Sequence, residues 1–394
     1  MQIIIPMSGI GQRFIDAGYA KPKPFIIVDN KPIIEHVINL FPKYANIIFI
    51  CNEIHEEYYQ ILKDLCPKCD IYIVSNDNRQ GPVHAITQIQ EHINEEDEII
   101  VSYCDYGTYW NYFNFVEDMH NSNADGGIAC YTGFHPHMLS NNNYAFVKEQ
   151  NMFLEEIREK ESFTNNKMSE YASNGTYYFK TGKILKKYAN MLIEKQIKVN
   201  NEYYVSLIYN LMKKDNLITR IFEIKYMLQW GTPYDLGVYN FWSSYFKKIM
   251  ISRTNTNQQK FEDKHNITTI LPFAGKGSRF VMKNYDLPKP LLKINNKPMV
   301  IEAVECLPQT SKYVFVCLDE HLKQYPYIKT DIDNYYKNNK IISIEQTTEG
   351  QACTCEIGIK NSNIDLEKPL LISACDNGVY YDNIKYSKMI NDET

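Results

Sequence analysis

The sequence predicts an α/β protein: a mostly parallel sheet with helices on both faces, built once in full and a second time in part. Three observations support this. Apolar runs alternate with helically spaced segments through residues 1–102, the pattern of parallel strands joined by crossover helices. The runs are nearly continuous rather than alternating, as expected of strands covered on both faces. A glycine-rich motif also recurs. Residues 6–14 read Pro-Met-Ser-Gly-Ile-Gly-Gln-Arg-Phe and residues 272–280 read Pro-Phe-Ala-Gly-Lys-Gly-Ser-Arg-Phe. A constant offset of 266 positions relates Pro6 to Pro272, Gly9 to Gly275, Gly11 to Gly277, Arg13 to Arg279, Lys23 to Lys289 and Pro32 to Pro298. Chance does not hold so many residues in one register, so the chain is an internal duplication.

The elements follow in order. Gln2 to Met7 is an apolar strand running into a Gly/Ser loop. Lys31 to Leu40 shows helical spacing with Pro32 in its first turn. Ala45 to Cys51 is a second strand, His55 to Leu65 a second helix and Ile71 to Val74 a third strand. Pro82 to His92 reads as helix and Glu98 to Ser102 as a fourth strand. The second copy repeats this order with strands at Thr268–Leu271, Tyr313–Cys317, Ile341–Ile344 and Pro369–Ser373 and a helix at Lys297–Leu307. Between the copies, Ser252 to Asn266 is rich in Asn, Gln, Lys and Thr and reads as a linker. The expected organisation is therefore a complete domain over residues 1–250, a linker over 251–266 and a partial domain over 267–394. The second copy has no counterpart of residues 124–250.

Composition bounds the function classes. A chain of 394 residues with 44% hydrophobic and 23% charged residues and a net charge of −5 is an ordinary globular protein with no basic surplus, so no nucleic-acid partner is expected. Ten cysteines are scattered along it, which argues against a disulfide framework. Cys66-Pro67-Lys68-Cys69 is the only CxxC, too few ligands for a structural zinc site, and reads as a pair of loop cysteines. His135-Pro136-His137 reads as a surface turn. No apolar run reaches the ~18–20 residues that span a bilayer, and the N-terminus lacks a positive n-region, so a cytoplasmic protein without a membrane span is expected. Assembly as a homo-oligomer is left open.

The chemistry resides in the repeated motif. Gly9 and Gly11 let backbone N–H groups approach phosphate oxygens, with Met7 and Ser8 beside them, and Arg13 offers a planar fork to a polyphosphate. The third glycine of a dinucleotide fingerprint is missing, and so is GxxxxGK[ST]. Lys23 lies between Pro22 and Pro24, which restrict the backbone and hold its ammonium in one place. A fixed cation suits an α-phosphate gaining charge during displacement. Asp105 follows the fourth strand, and Asp376 occupies the same place in the second copy. A carboxylate there is a natural Mg²⁺ ligand.

These motifs resemble the sugar nucleotidyltransferase (nucleoside-diphosphate-sugar pyrophosphorylase) superfamily, over residues 1–250 in full and 267–394 for the nucleotide half. The resemblance implies a Rossmann-like three-layer domain that joins a nucleoside triphosphate, of unspecified base, to a sugar 1-phosphate or similar phosphomonoester and releases pyrophosphate. Mg²⁺ is the implied cofactor and surface polysaccharide synthesis the usual setting. It assigns Arg13 to the leaving pyrophosphate, Lys23 to the α-phosphate, and Asp105 to the metal. Gln80 and Gly81, in a base-reading turn, join Met7, Ser8, Gly9 and Gly11 around the nucleotide. Glu159-Lys160, Asn174-Gly175 and Glu202 match acceptor-side motifs. In the second copy Gly275, Gly277, Arg279, Lys289, Gly350 and Asp376 correspond to the nucleotide side. One departure stands out: Gln229 occupies the place where many members carry a second metal-binding aspartate. It leaves room for a nucleotide-binding protein without turnover. A nucleotide-sugar-dependent glycosyltransferase is a third reading, although the Asp-x-Asp such enzymes use is missing around Asp105.

Overall fold

A computed structural model of the chain describes residues 1–139, 142–254 and 261–391. They form two compact units, Met1–Phe246 and Lys247–Thr394. In the first, strand β1 (Gln2–Met7) is buried along its whole length. Ile3 and Ile5 enter the core on one face of the sheet and Ile4 the core on the other, so alternate side chains serve two helical layers. β1 pairs in parallel with β2 (Asn46–Asn52) and β4 (Ile99–Ser102), and β2 with β3 (Asp70–Val74). Helices α1 (Gln12–Asp16), α2 (Ile33–Ile38), α3 (Tyr59–Leu65) and α4 (Pro82–Gln88) lie between these strands in sequence.

The parallel order β3-β2-β1-β4 is the part that the apolar runs foretell. Beyond β4 the nine-stranded sheet becomes mixed. A short strand β5 (Tyr106–Tyr109) leaves it, and α5 (Tyr112–Asn121) leads to β6 (Gly126–Tyr131). The hairpin β7 (Ala145–Gln150) and β8 (Phe153–Glu159) follows, then β9 (Tyr171–Phe179), which runs antiparallel to both β4 and β6. Helices α6 (Gly182–Glu194) and α7 (Ile208–Lys214) precede β10 (Thr219–Glu223), which is parallel to β6. The sheet order is thus β3-β2-β1-β4-β9-β6-β10-β8-β7. Strand β11 (Tyr226–Gln229) pairs with β5 outside the main sheet.

Local chemistry shortens several expected helices. α2 begins at Ile33 because Asp29 and Asn30 take positive φ (47° and 68°) and turn Ile27–Val28 back onto Lys31–Pro32 as a small hairpin. The segment from His55 opens as a 3₁₀ turn, Glu53–Tyr58, whose first N–H groups include Ile54 N donating to Asn52 Oδ1 at 3.1 Å. Non-helical His55 (φ −107°, ψ 21°) kinks that turn, and α3 begins only at Tyr59. α4 stops at Gln88, and Gln90–His92 forms a separate 3₁₀ turn.

His135-Pro136-His137 is no surface turn. Both imidazoles are buried against Tyr131, whose hydroxyl lies 2.8 Å from His137 Nε2, while His135 Nε2 accepts from Met227 N at 3.2 Å. Burial, then the neighbouring His135 and Lys167 charges, holds His137 down near 3, so it is a neutral core residue.

The long helix α8 (Pro233–Thr254) carries the chain from the first unit into the second. The expected linker therefore starts as helix through Thr254, and its residues 255–260 lie outside the described residues. The second unit holds a four-stranded parallel sheet of β12 (Thr268–Phe273), β13 (Lys312–Leu318), β14 (Asn339–Ile344) and β15 (Leu370–Ile372) in the order β14-β13-β12-β15. Among the described residues no helix is long and apolar enough to cross a membrane.

Candidate active site

A cavity of about 230 Å³ opens beyond the carboxyl ends of β1 and β4, where ligands of open α/β sheets sit. Met7, Ser8, Gly9, Gly11, Lys23, Gln80, Gly81, Asp105 and Glu202 all line it. Gly11 caps α1 at φ 68°, and a Cβ added there would approach Lys23 Cβ at 3.3 Å. The glycine loop therefore packs directly on the Pro22-Lys23-Pro24 segment. Pro22 is extended (φ −57°, ψ 145°) and Lys23 starts a 3₁₀ turn, so the lysine stem leaves the backbone in one direction. Its Nζ donates to Asp105 Oδ2, both side chains about four-fifths buried. Residues 82 positions apart meet here because β1 and β4 are adjacent strands.

The base-side turn is clamped from the far half of the domain. Tyr203 N donates to the Gln80 carbonyl at 2.8 Å, Val83 N to the Tyr203 carbonyl at 3.1 Å, and Lys198 Nζ to Gln80 Oε1 at 2.8 Å. Gly81 has φ 91°, and a Cβ there would meet Glu202 Cβ and Tyr203 N at 2.9 Å. Only glycine fits between these strands of backbone.

A smaller cavity of about 80 Å³ adjoins the first and shares Tyr103 and Asp105 with it. Glu159, Asn174 and Gly175 line this one. Among the acceptor-side residues expected from sequence, Glu202 instead faces the larger cavity and Lys160 lines neither. Lys160, held at φ 61°, donates from Nζ to the Tyr204 hydroxyl, which in turn donates to Glu202 Oε2. Glu159 accepts from Ser206 Oγ at 2.6 Å. Its burial raises its carboxyl from the ordinary 4.5 to about 7, opposed by the Ser206 hydrogen bond and the Lys160 charge.

Arg13 sits on the exposed face of α1, outside the lining of either cavity and without a side-chain hydrogen bond or ion pair among the described residues. Its charge nonetheless reaches the site, acting against the burial that raises Tyr204 and Asp235. Tyr103, Tyr144 and Tyr204 also line the cavities and Lys198 holds Gln80; of these the sequence singled out only Tyr204, in the acceptor-side run Glu202-Tyr203-Tyr204. Tyr103 and Tyr204 flank Asp105 and Glu202, which is the one signal that pointed to them; Lys198 carried none.

The donor set fits a hard divalent cation in a limited way. Asp105 and Gln229 flank one small glycine: a Cβ on Gly231 would lie 3.0 Å from Asp105 Oδ2 and 2.8 Å from Gln229 Nε2. One carboxylate and one amide oxygen suit Mg²⁺, which takes few protein ligands and relies on substrate phosphates for the rest. No group of three His, Cys, Asp or Glu side chains able to hold a metal occurs among the described residues.

In the second unit, Gly275, Gly277, Lys289, Gly350 and Asp376 line a cavity of about 280 Å³. Gly277 caps its helix at φ 60°, with Lys289 Cβ 3.1 Å from where a Cβ would stand, and Lys289 Nζ donates to Asp376 Oδ2. Arg279 is exposed and outside the lining. Gly350 differs from Gly81: it is extended, and no atom lies within 4 Å of where a Cβ would be.

A family model described as nucleotidyl transferase matches residues 2–259. No curated protein matches the chain. Among solved structures, a nucleoside-diphosphate-sugar pyrophosphorylase from Vibrio cholerae is 18% identical with a TM-score of 0.50, covering 60% of this chain and 98% of its own. A UDP-glucose pyrophosphorylase complexed with UDP-glucose is 16% identical (TM-score 0.51, 63% and 98% covered). A putative glucose-1-phosphate thymidylyltransferase from Bacillus anthracis, in complex with a sucrose, is 19% identical (TM-score 0.50, 61% and 94% covered). At these identities the likeness is one of fold.

Two outcomes follow from the geometry. Gly81→Ala is expected to cost about 1–3 kcal/mol, from positive φ and the Glu202–Tyr203 clash, measured by urea unfolding. Because folded Glu159 binds its proton more tightly than the unfolded chain, it costs stability progressively as pH rises from 4.5 to 7. Glu159→Gln should flatten that part of the stability–pH curve relative to wild type.

Proposed function

The chain belongs to the nucleotidyl transferase family, and we propose that its first unit transfers a nucleotidyl group from a nucleoside triphosphate to a sugar 1-phosphate or related phosphomonoester, for use as a surface polysaccharide precursor. The observation that carries this reading is the convergence of the glycine loop, Lys23 and Asp105 in a cavity that adjoins a second one through the same Asp105. One cavity suits the triphosphate, the other the acceptor, and their shared wall is where the bond is made.

A phosphate oxygen of the acceptor attacks the α-phosphorus, and the bond from that phosphorus to the bridging oxygen of the β-phosphate breaks. Pyrophosphate leaves with the electron pair. The nucleophile is already an anion, so charge balances without a general base and catalysis is positioning plus neutralisation. Backbone N–H groups of the Gly9–Gly11 loop receive the phosphates. Lys23 moves from Asp105 to an α-phosphate oxygen and stabilises its growing charge. Arg13, unpaired at the mouth, meets the departing pyrophosphate. Asp105 and Gln229 would hold Mg²⁺, which when bound supplies charge neutralisation and polarises the α-phosphate.

The second unit supports a narrower role. Its cavity repeats the glycine loop, the lysine and the aspartate, but no chain closes over Gly350 as residues 198–204 close over Gln80 and Gly81. It is proposed to bind nucleotide phosphates without turnover.

Lys23→Ala is expected to lower kcat for pyrophosphate release by about 10²–10³-fold, with a urea midpoint close to wild type; normal turnover with every acceptor tried would remove Lys23 from the mechanism. Titration of the whole chain with nucleoside triphosphate should show two equivalents bound, and Lys289→Ala should lose the weaker one.

A further inference from the structure

The smaller cavity has a character of its own. Tyr103, Tyr144 and Tyr177 line it together with Asp105 and Glu159, and no Lys, Arg or His is among the residues lining it. Lys160, next to Glu159 in sequence, is turned toward Tyr204 and Glu202 instead. Asp105 already faces Lys23. Among the described residues Glu159 keeps one hydrogen-bond partner, the Ser206 hydroxyl at 2.6 Å, and the Lys160 charge acts on it without touching it. The tyrosine rings are packed at angles: those of Tyr103 and Tyr177 meet edge-to-face with centroids 5.6 Å apart. The amide Nδ2 of Asn174 is buried without a hydrogen-bond partner, and the hydroxyls of Tyr103 and Tyr144 have only poorly aligned neighbours, the Val205 backbone and the Gln229 amide.

Buried polar groups are normally well paired, so an unpaired amide beside two poorly paired hydroxyls at one cavity indicates a ligand that pairs them. A buried carboxylate with no cation in direct contact is costly in the same way. Aromatic faces combined with a carboxylate form the usual setting for an ammonium group, attracted by ring quadrupoles and by charge.

We propose that the acceptor is a phosphomonoester carrying an ammonium group, an aminoalkyl phosphate or its N-methylated form, with the cation seated among Tyr103, Tyr144, Tyr177 and Glu159. Its phosphate lies toward Asp105 and the nucleotide, within reach of the Asn174 amide. This rests on the nucleotidyl-transfer reading above and narrows its acceptor. The bond changes are the same: the acceptor's phosphate oxygen displaces pyrophosphate from the α-phosphorus, and the ammonium group takes no part.

The test is pyrophosphate release by the full chain, crossing four nucleoside triphosphates with aminoethyl phosphate, its trimethylated form, 3,3-dimethylbutyl phosphate and glucose 1-phosphate. The dimethylbutyl compound keeps the trimethylated shape without the charge. Turnover is expected with an ammonium-bearing acceptor, with kcat/KM at least about tenfold lower for the neutral shape mimic. Glu159→Gln and, separately, Tyr144→Leu should raise KM for the ammonium-bearing acceptor at least about tenfold, with KM for the triphosphate within about twofold of wild type. Equal or better use of glucose 1-phosphate or the neutral mimic would overturn this assignment and leave nucleotidyl transfer standing. Release with none of the four acceptors would count against nucleotidyl transfer itself and, with it, against the assignment.

Discussion

The contact on which the site depends is that between Lys23 and Asp105. Neither residue is placed by its own local structure alone. Lys23 is aimed by the two prolines around it, and Asp105 by the end of a strand buried on both faces. They meet because β4 lies beside β1 in the sheet. The pair also keeps the cavity sound before a ligand arrives, since a cation and a carboxylate at a half-dry strand end would each be costly alone.

The second constraint is closure. Most of the larger cavity is lined by residues 6–105, and Glu202 and Tyr204 close it from the other side, tied on by the backbone hydrogen bonds of Tyr203 with Gln80 and Val83. The mixed half of the sheet makes this possible. Strand β9 docks antiparallel on β4, and the bend at Asn174–Gly175 ties back to Tyr103 N through the Gly175 carbonyl at 2.9 Å. The smaller cavity forms in that bend. The second unit has the loop, lysine and aspartate but no such wall among the described residues, and its Gly350 stands in open space where Gly81 is clamped.

Much of the nucleotide side could be read from residues. A strand-loop-helix start, two glycines, a proline-flanked lysine and a strand-end aspartate each report a local backbone demand, and local demands are written in short segments. Gly11 at φ 68° and Gly81 at φ 91° are such cases. The acceptor side was legible in part. Glu159, Asn174 and Gly175 do line one cavity, but Lys160 turns away and Glu202 faces the other. Direction of a side chain at a strand's end depends on what packs across from it, and here that partner is Tyr204, 44 positions on. His135 and His137 were misread for the same reason: a His-Pro-His segment reads as a polar turn until Tyr131 and Met227 are found around it.

The sequence by itself determined the parallel half of the sheet, its glycine loop and the residue types that line the larger cavity, because apolar runs and turn-forming residues act over a few neighbours. Tertiary structure alone decided which carboxylate lacks a cation in contact, which tyrosines surround it, and that Arg13 lies outside the cavity. Those depend on strands β9 and β4 meeting across some seventy residues of intervening chain, and on burial, which no local pattern specifies.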